Sequence, residues 1–238
     1  MNIEQKFKSD FINTIDFVFY FTKYTKSVYF LKQNMEKILE KLNYFTNQDI
    51  AKFVRSENVN TYANRYINSK KIIRLKRWIY VSKERLNFIE KNNYIDPYIS
   101  HIATNILISP SYLSTEYVLY KNAIITENIY SITAITTKKT NEIKNIFWKF
   151  VYRNLDDKLF WWYKTIKKSD FIYFEAYPEK ALLDRLRLKK DIVFSVYYFQ
   201  ELRLNLENID FTILEDFVKK FNKTKITKSF NLLKKMKW

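Results

Sequence analysis

The stretch that decides the fold is Phe45-Thr46-Asn47-Gln48-Asp49-Ile50-Ala51-Lys52-Phe53-Val54, followed by Thr61-Tyr62-Ala63-Asn64-Arg65-Tyr66-Ile67 and Ile72-Ile73-Arg74-Leu75-Lys76-Arg77-Trp78-Ile79-Tyr80-Val81. Thr46 is suited to cap a helix, and Asp49 puts a carboxylate in its first turn. Ile50, Ala51, Phe53 and Val54 supply an apolar face at helical spacing. Ser56-Glu57-Asn58 breaks the pattern. A second helix, capped by Asn60 or Thr61 and running to about Ser69, turns Ala63, Tyr66 and Ile67 inward and leaves Thr61, Asn64 and Arg65 outward. The two β-branched runs that follow, joined at Lys76-Arg77-Trp78, predict a hairpin. Leu31 to Tyr44 reads as a preceding amphipathic helix on Leu31, Met35, Ile38, Leu39 and Leu42. Helix, helix and basic hairpin in this order predict a winged helix-turn-helix over residues 31–92.

Between Arg65 and Arg85 stand eight Lys or Arg residues and a single acid, Glu84. Asn60, Thr61, Asn64 and Arg65 are the candidates to reach base edges of double-stranded DNA. Lys70, Lys71, Arg74, Lys76 and Arg77 are the candidates for phosphate or minor-groove contacts. The competing reading is a helical hairpin with a solvated basic face, and helix-turn-helix segments also serve as protein-docking modules.

A net charge of +17 favours polyanionic partners, nucleic acid before an anionic membrane surface. With 238 residues the chain can hold one large or two small domains and bury roughly 70–75% of its unfolded surface. It has no cysteine, so disulfides and thiolate metal sites are excluded, which is compatible with the cytoplasm. The apolar run Phe17–Phe21 is too short to span a bilayer or to serve as a leader, so no membrane partner is expected. Residues 1–30 are an aromatic-rich extension with no assigned role.

Asn92-Asn93 and Asp96-Pro97 mark a boundary, and a second domain is expected over 95–238. Helices are expected over Lys83–Asn92, Pro97–Leu107 and Ser114–Tyr120, and strands over Tyr130–Thr136, Phe147–Asn154, Trp162–Ile166 and Phe171–Glu175. Pro178 suits the first position of a helix reaching Arg187. Further helices are expected over Val193–Leu204, over Thr212–Phe221 and in a last stretch ending at Trp238. The fold class is therefore α+β: a winged helix-turn-helix, then a mixed α/β domain with a C-terminal helical portion. Eight lysines and no acid follow from Lys219 onward, read as a solubilising tail.

Tyr112-Leu113-Ser114-Thr115-Glu116-Tyr117, then Ile132 to Lys139, then Glu175-Ala176-Tyr177-Pro178-Glu179-Lys180-Ala181-Leu182-Leu183-Asp184 and Glu201-Leu202-Arg203-Leu204, resemble the AbiEi family. Its members are antitoxins and autoregulators of AbiE-type, or type IV, toxin–antitoxin systems. The resemblance covers roughly Met35 to Leu233. It implies an N-terminal winged helix bound in several copies to operator repeats near its own promoter, and a C-terminal domain that counters a nucleotidyltransferase-like toxin. Ser114, Pro178, Glu179, Lys180 and Asp184 are the motif positions it carries. A stand-alone winged-helix regulator is the alternative.

A nuclease-like enzyme around Glu175 and Glu179 is less favoured, because Glu179 and Lys180 are adjacent at a helix start. Glu179 there complements the helix N-terminus, and Lys180 with Asp184 forms an i,i+4 ion pair on the helix face. No catalytic residue, metal or cofactor is expected. His101, the single histidine, reads as a partly buried helix residue.

Glycine is absent altogether, although turns and helix ends favour it. Asn68 and Asn122 are expected to cover some left-handed positions. Where the family has glycine in its wing turn this chain has Trp78, and Trp148 and Trp161 or Trp162 fall at similar places. A reading frame that encodes glycine by UGA, translated with UGA as tryptophan, would produce this pattern.

Overall fold

The computed structural model describes residues 35–54, 56–189 and 194–237. The expected extension over 1–30, the start of the helix at Leu31, that of the later helix at Val193 and the end at Trp238 lie outside them. Helices and strands are mixed throughout, in two compact units divided between Phe88 and Ile89.

In the first unit a helical segment α1 (35–39) precedes β1 (Phe45–Thr46) and α2 (Asn47–Ala51). Next come α3 (Val59–Asn68), β2 (Ile72–Lys76) and β3 (Ile79–Ser82). The three strands form an antiparallel sheet in the order β1-β3-β2. Thr46 caps α2 reciprocally: Asp49 N donates to Thr46 Oγ1, and Thr46 N donates to Asp49 Oδ2 at 2.9 Å. Val59, Ala63 and Tyr66 fall on one face of α3 and pack with Met35, Leu39, Phe45, Ile50, Ile72 and Tyr80.

Three expectations fail here. Helix α3 begins at Val59 with Asn58 before it, so neither Asn60 nor Thr61 is its cap. Ala51 is exposed because α2 ends there, one turn after it starts. Ile38 is exposed on the open side of the short α1, and Leu42 is exposed because the chain leaves helical geometry after residue 39.

Burial alone pushes the Asp49 carboxyl up, but hydrogen bonds from Lys52 and Thr46 outweigh it and hold the group below 3.8. A depressed folded value means stabilisation that is complete above the unfolded value and lost as pH falls through the folded one. Carboxyl NMR should therefore find Asp49 titrating below 3.8, with the α2 amides loosening in the same range. Titration above 3.8 contradicts the capping box.

Helix α4 (Lys83–Lys91) leads into α5 (Ile95–His101), whose last turn runs on into a wider π-wound segment, Ile102–Leu107. The second unit then contains β4 (Ser111–Leu113), α6 (Thr115–Lys121), β5 (Ile132–Thr136), β6 (Asn141–Lys144) and β7 (Lys149–Asn154). It continues with β8 (Tyr163–Lys168), β9 (Phe171–Ala176), α7 (Pro178–Leu188), α8 (Val196–Glu201), α9 (Phe211–Phe221) and α10 (Thr224–Lys237). Six strands form a mixed sheet in the order β6-β7-β5-β4-β9-β8, with β4–β9 and β5–β7 parallel and the other pairs antiparallel. Central β5 is buried along its whole length, as expected of a strand covered on both faces. Edge strands β6 and β8 are largely open and carry Lys144, Lys164, Lys167 and Lys168, charges that discourage further strand pairing.

Strands β4 and β6 were not expected from sequence. Nor do Asn68 and Asn122 supply left-handed residues. Lys70, Trp78, Asn93, Thr115, Ala123, Trp162, Ser169, Arg203 and Asn222 do. Trp78 (φ 64°) is half exposed in the β2–β3 turn, and Trp162 (φ 56°) stacks on Phe217 at 3.7 Å. Trp148 and Trp161 do not share this conformation among the described residues.

A left-handed L-residue costs about 1–2 kcal/mol, whereas the exposed stack of Arg77 on the Trp78 ring (4.1 Å) returns only about 0.5–1 kcal/mol. Trp78→Gly should therefore raise the denaturant midpoint of the protein slightly. A lower midpoint would show that the stack outweighs the backbone cost.

Candidate nucleic-acid face and the buried motif

Helix α3 and the β2–β3 hairpin enclose a shallow groove of about 350 Å³ lined by Asn60, Asn64, Arg74, Arg77, Trp78 and Tyr80. The hairpin turn is tied to α2, where Asn47 N donates to the Trp78 carbonyl at 3.2 Å. Asn47 Nδ2 donates in turn to Asn60 Oδ1 at 2.9 Å, and Arg74 Nη2 donates to Asn64 Oδ1 at 3.3 Å. The groove thus presents two side-chain amides beside two guanidinium groups, with an exposed indole at its lip.

Of the nine candidates for DNA contact, four converge in this groove: Asn60, Asn64, Arg74 and Arg77. Thr61, Arg65 and Lys70 are exposed but outside its lining, and Lys76 is half-buried. Lys71 turns elsewhere, its Nζ lying 3.5 Å from Glu36 Oε1. There the Tyr66 hydroxyl also donates to Glu36, and burial with that carboxylate pushes the phenol well above its ordinary range. Trp78 and Tyr80 were missed as groove residues. The hairpin register was the available signal, since it sets Arg74 opposite Tyr80.

The motif residues of the second unit meet in its interior. Ser114 Oγ donates to Asp184 Oδ2 at 2.8 Å, and the Tyr112 hydroxyl donates to the same oxygen at 3.0 Å. Lys180 donates to Asp184 Oδ1 and to the Tyr112 hydroxyl, the latter at 3.0 Å. Lys180 and Asp184 are fully buried, and the lysine lies over the Trp161 and Phe221 rings. Burial pushes the Asp184 carboxyl up and the Lys180 ammonium down, so each ion depends on the other for compensation.

The expected i,i+4 pair exists, but in the core instead of on an open helix face. Pro178 opens α7 as expected. Glu179 stands in the first turn of α7 as expected, and its Oε1 also accepts from Asp210 N at 2.9 Å, linking α7 to the beginning of α9. Glu175 is buried and paired with Lys121 and, at 3.8 Å, with Lys164. His101, half-buried, lies with Nδ1 2.7 Å from the Ile172 carbonyl, which places the ring proton on that nitrogen. Among the described residues no three His, Asp or Glu side chains gather as a metal site would require, and no helix is long and apolar enough to cross a membrane. Neither protein-family models nor characterised proteins give a match to this chain.

Breaking a buried ion pair by removing one partner costs about 3–5 kcal/mol, whereas replacing both by apolar groups is often neutral. Asp184→Leu should therefore lower the unfolding free energy by that amount in urea titrations, and Lys180→Met/Asp184→Leu should recover most of it. A loss below about 1 kcal/mol in the single variant would mean that the pair does not hold α7 in place.

Proposed function

We propose that the chain is a DNA-binding autorepressor whose first unit acts as a winged helix-turn-helix, and whose second unit serves as a non-catalytic AbiEi-like antitoxin domain in the cytoplasm. The observation that carries the DNA reading is the groove between α3 and the hairpin, where Asn60, Asn64, Arg74 and Arg77 share one opening. Asparagine amides can make bidentate contacts to adenine and guanidinium groups to guanine or phosphate, the donor set that base-edge readout in a groove requires. The excess positive charge supplies the sequence-independent part of the attraction.

Helix α3 is the recognition element in this reading, and the hairpin is the wing that contacts the backbone beside it. Two or more copies on inverted repeats would occlude polymerase. Support for the antitoxin role comes from the resemblance alone. Its motif residues Ser114, Lys180 and Asp184 are interior, so they bear on how the domain is built, while contact with a nucleotidyltransferase-like toxin falls to other residues.

The test is binding of the purified protein to the DNA upstream of its own gene, against a scrambled duplex, over a salt series. Preference for the upstream DNA is expected, with a log–log salt slope near −5 if about six phosphates are neutralised. Asn64→Ala should relax base discrimination by about 1–3 kcal/mol, and Arg74→Ala should weaken binding to all sequences. Equal binding to both duplexes overturns the repressor reading. Rescue of growth on co-expression with a nucleotidyltransferase-like product of the adjacent gene tests the antitoxin half, and failure to rescue rejects it.

A further inference from the structure

The second unit contains an open cavity of about 770 Å³ over the β5–β7 side of its sheet, bordered by the start of α6 and the end of α7. This volume is in the range of small-ligand sites. Arg185, on α7, forms part of its wall with a side chain only 9% exposed. Its Nε lies 3.2 Å from Glu116 Oε1, close enough to pair the charges, yet neither Nε nor Nη1 makes a hydrogen bond. Buried guanidinium donors are costly to leave unmet, and their planar fork matches the oxygens of a phosphate group.

A second, independent irregularity lies in the same wall. Thr115, 2% exposed, has φ 51°. A β-branched residue in the left-handed region is an outlier that the surroundings must enforce, and such strain gathers at ligand sites. The conformation immediately precedes Glu116, the carboxylate set against Arg185. Arg153 and Lys189 add positive charge around the cavity. Two of its three carboxylates face a cation already, Glu116 at Arg185 and Glu142 at Lys149 (2.8 Å), which leaves Glu127 to accept from a ligand hydroxyl.

From this convergence we infer that the cavity is a binding site for a small phosphorylated molecule of nucleotide size, with Arg185 gripping the phosphate and Arg153 attracting it from the rim. The concave shape, with a carboxylate among the cations, suits such a ligand better than the backbone of a duplex. The site belongs to the second unit and the α3–hairpin groove to the first, so the inference stands whether or not that groove binds DNA.

Isothermal titration of the full chain with ATP, and separately with pyrophosphate, tests the assignment. Saturable binding of ATP is expected, with pyrophosphate weaker because it offers nothing to Glu127. Arg185→Met should weaken ATP binding at least tenfold, and Arg153→Ala, at an exposed position, should weaken it about threefold to tenfold with an unchanged melting temperature. If Arg185→Met does not fold, Arg153→Ala decides. Arg74→Ala, in the first unit, should leave ATP binding unaltered, and a short duplex should not displace the nucleotide. Absence of binding by either probe, equal affinity in Arg153→Ala, or displacement by duplex DNA would overturn the proposal.

Discussion

In the second unit the ion pair of Lys180 and Asp184 has no access to water, and the surrounding chain has to be arranged to tolerate it. The carboxylate accepts from a lysine, a tyrosine and a serine. Tyr112 lies on central strand β4, Ser114 just after it, and both charges lie on α7. Strand β4 is only three residues long and meets β9 at a single register position, Leu113 with Glu175, so the ladder alone does little to fix α7 above it. The side-chain network supplies that constraint, because withdrawing α7 would strip the buried Tyr112 and Ser114 hydroxyls of their shared acceptor. Glu179 passes the constraint on to α9 through the Asp210 amide.

The first unit solves a different problem, that of keeping one basic face open. Glu36 engages Tyr66 and Lys71 on one side, which leaves the groove side to Asn64, Arg74 and Arg77. Asn47 bridges α2 to both the hairpin turn and α3 through short hydrogen bonds, so the amides are held in position by local structure. A surface of this kind, polar groups on rigid supports with charge around them, is what a sequence-reading site needs.

Much of this was readable from the residues. Thr46 with Asp49, the Ala63–Tyr66 spacing, the hairpin at Arg77-Trp78 and proline at the start of α7 each have a local physical cause, and each is where sequence placed it. Strand β4 was hidden because three residues ahead of a serine cap carry no periodicity, and β6 because an edge strand of Asn141, Glu142 and Lys144 has no buried face to announce it. Spacing named the partners Lys180 and Asp184 but could not give their surroundings. The hint was α7 itself, where Ala181, Leu182, Leu183 and Leu186 spread over more than half of the helix circumference. The cavity at Arg185 was not legible, since Thr115 and Arg185 are brought together by the packing of α6 on α7 and Arg153 joins them from β7, a meeting that no spacing in the sequence announces.

The buried pair also shapes what this chain can become. Loss of the charge at Lys180 or Asp184 strands the other, and loss of the hydroxyl at Tyr112 or Ser114 withdraws a donor from the same carboxylate. An all-apolar replacement is reachable only through an unstable intermediate, so the four residues form a valley from which one-step variation rarely escapes. The outer surfaces of the same helices face no such barrier and are free to drift. A likeness between chains at these positions would therefore report how the interior is built, and would say much less about what each chain holds on its surface.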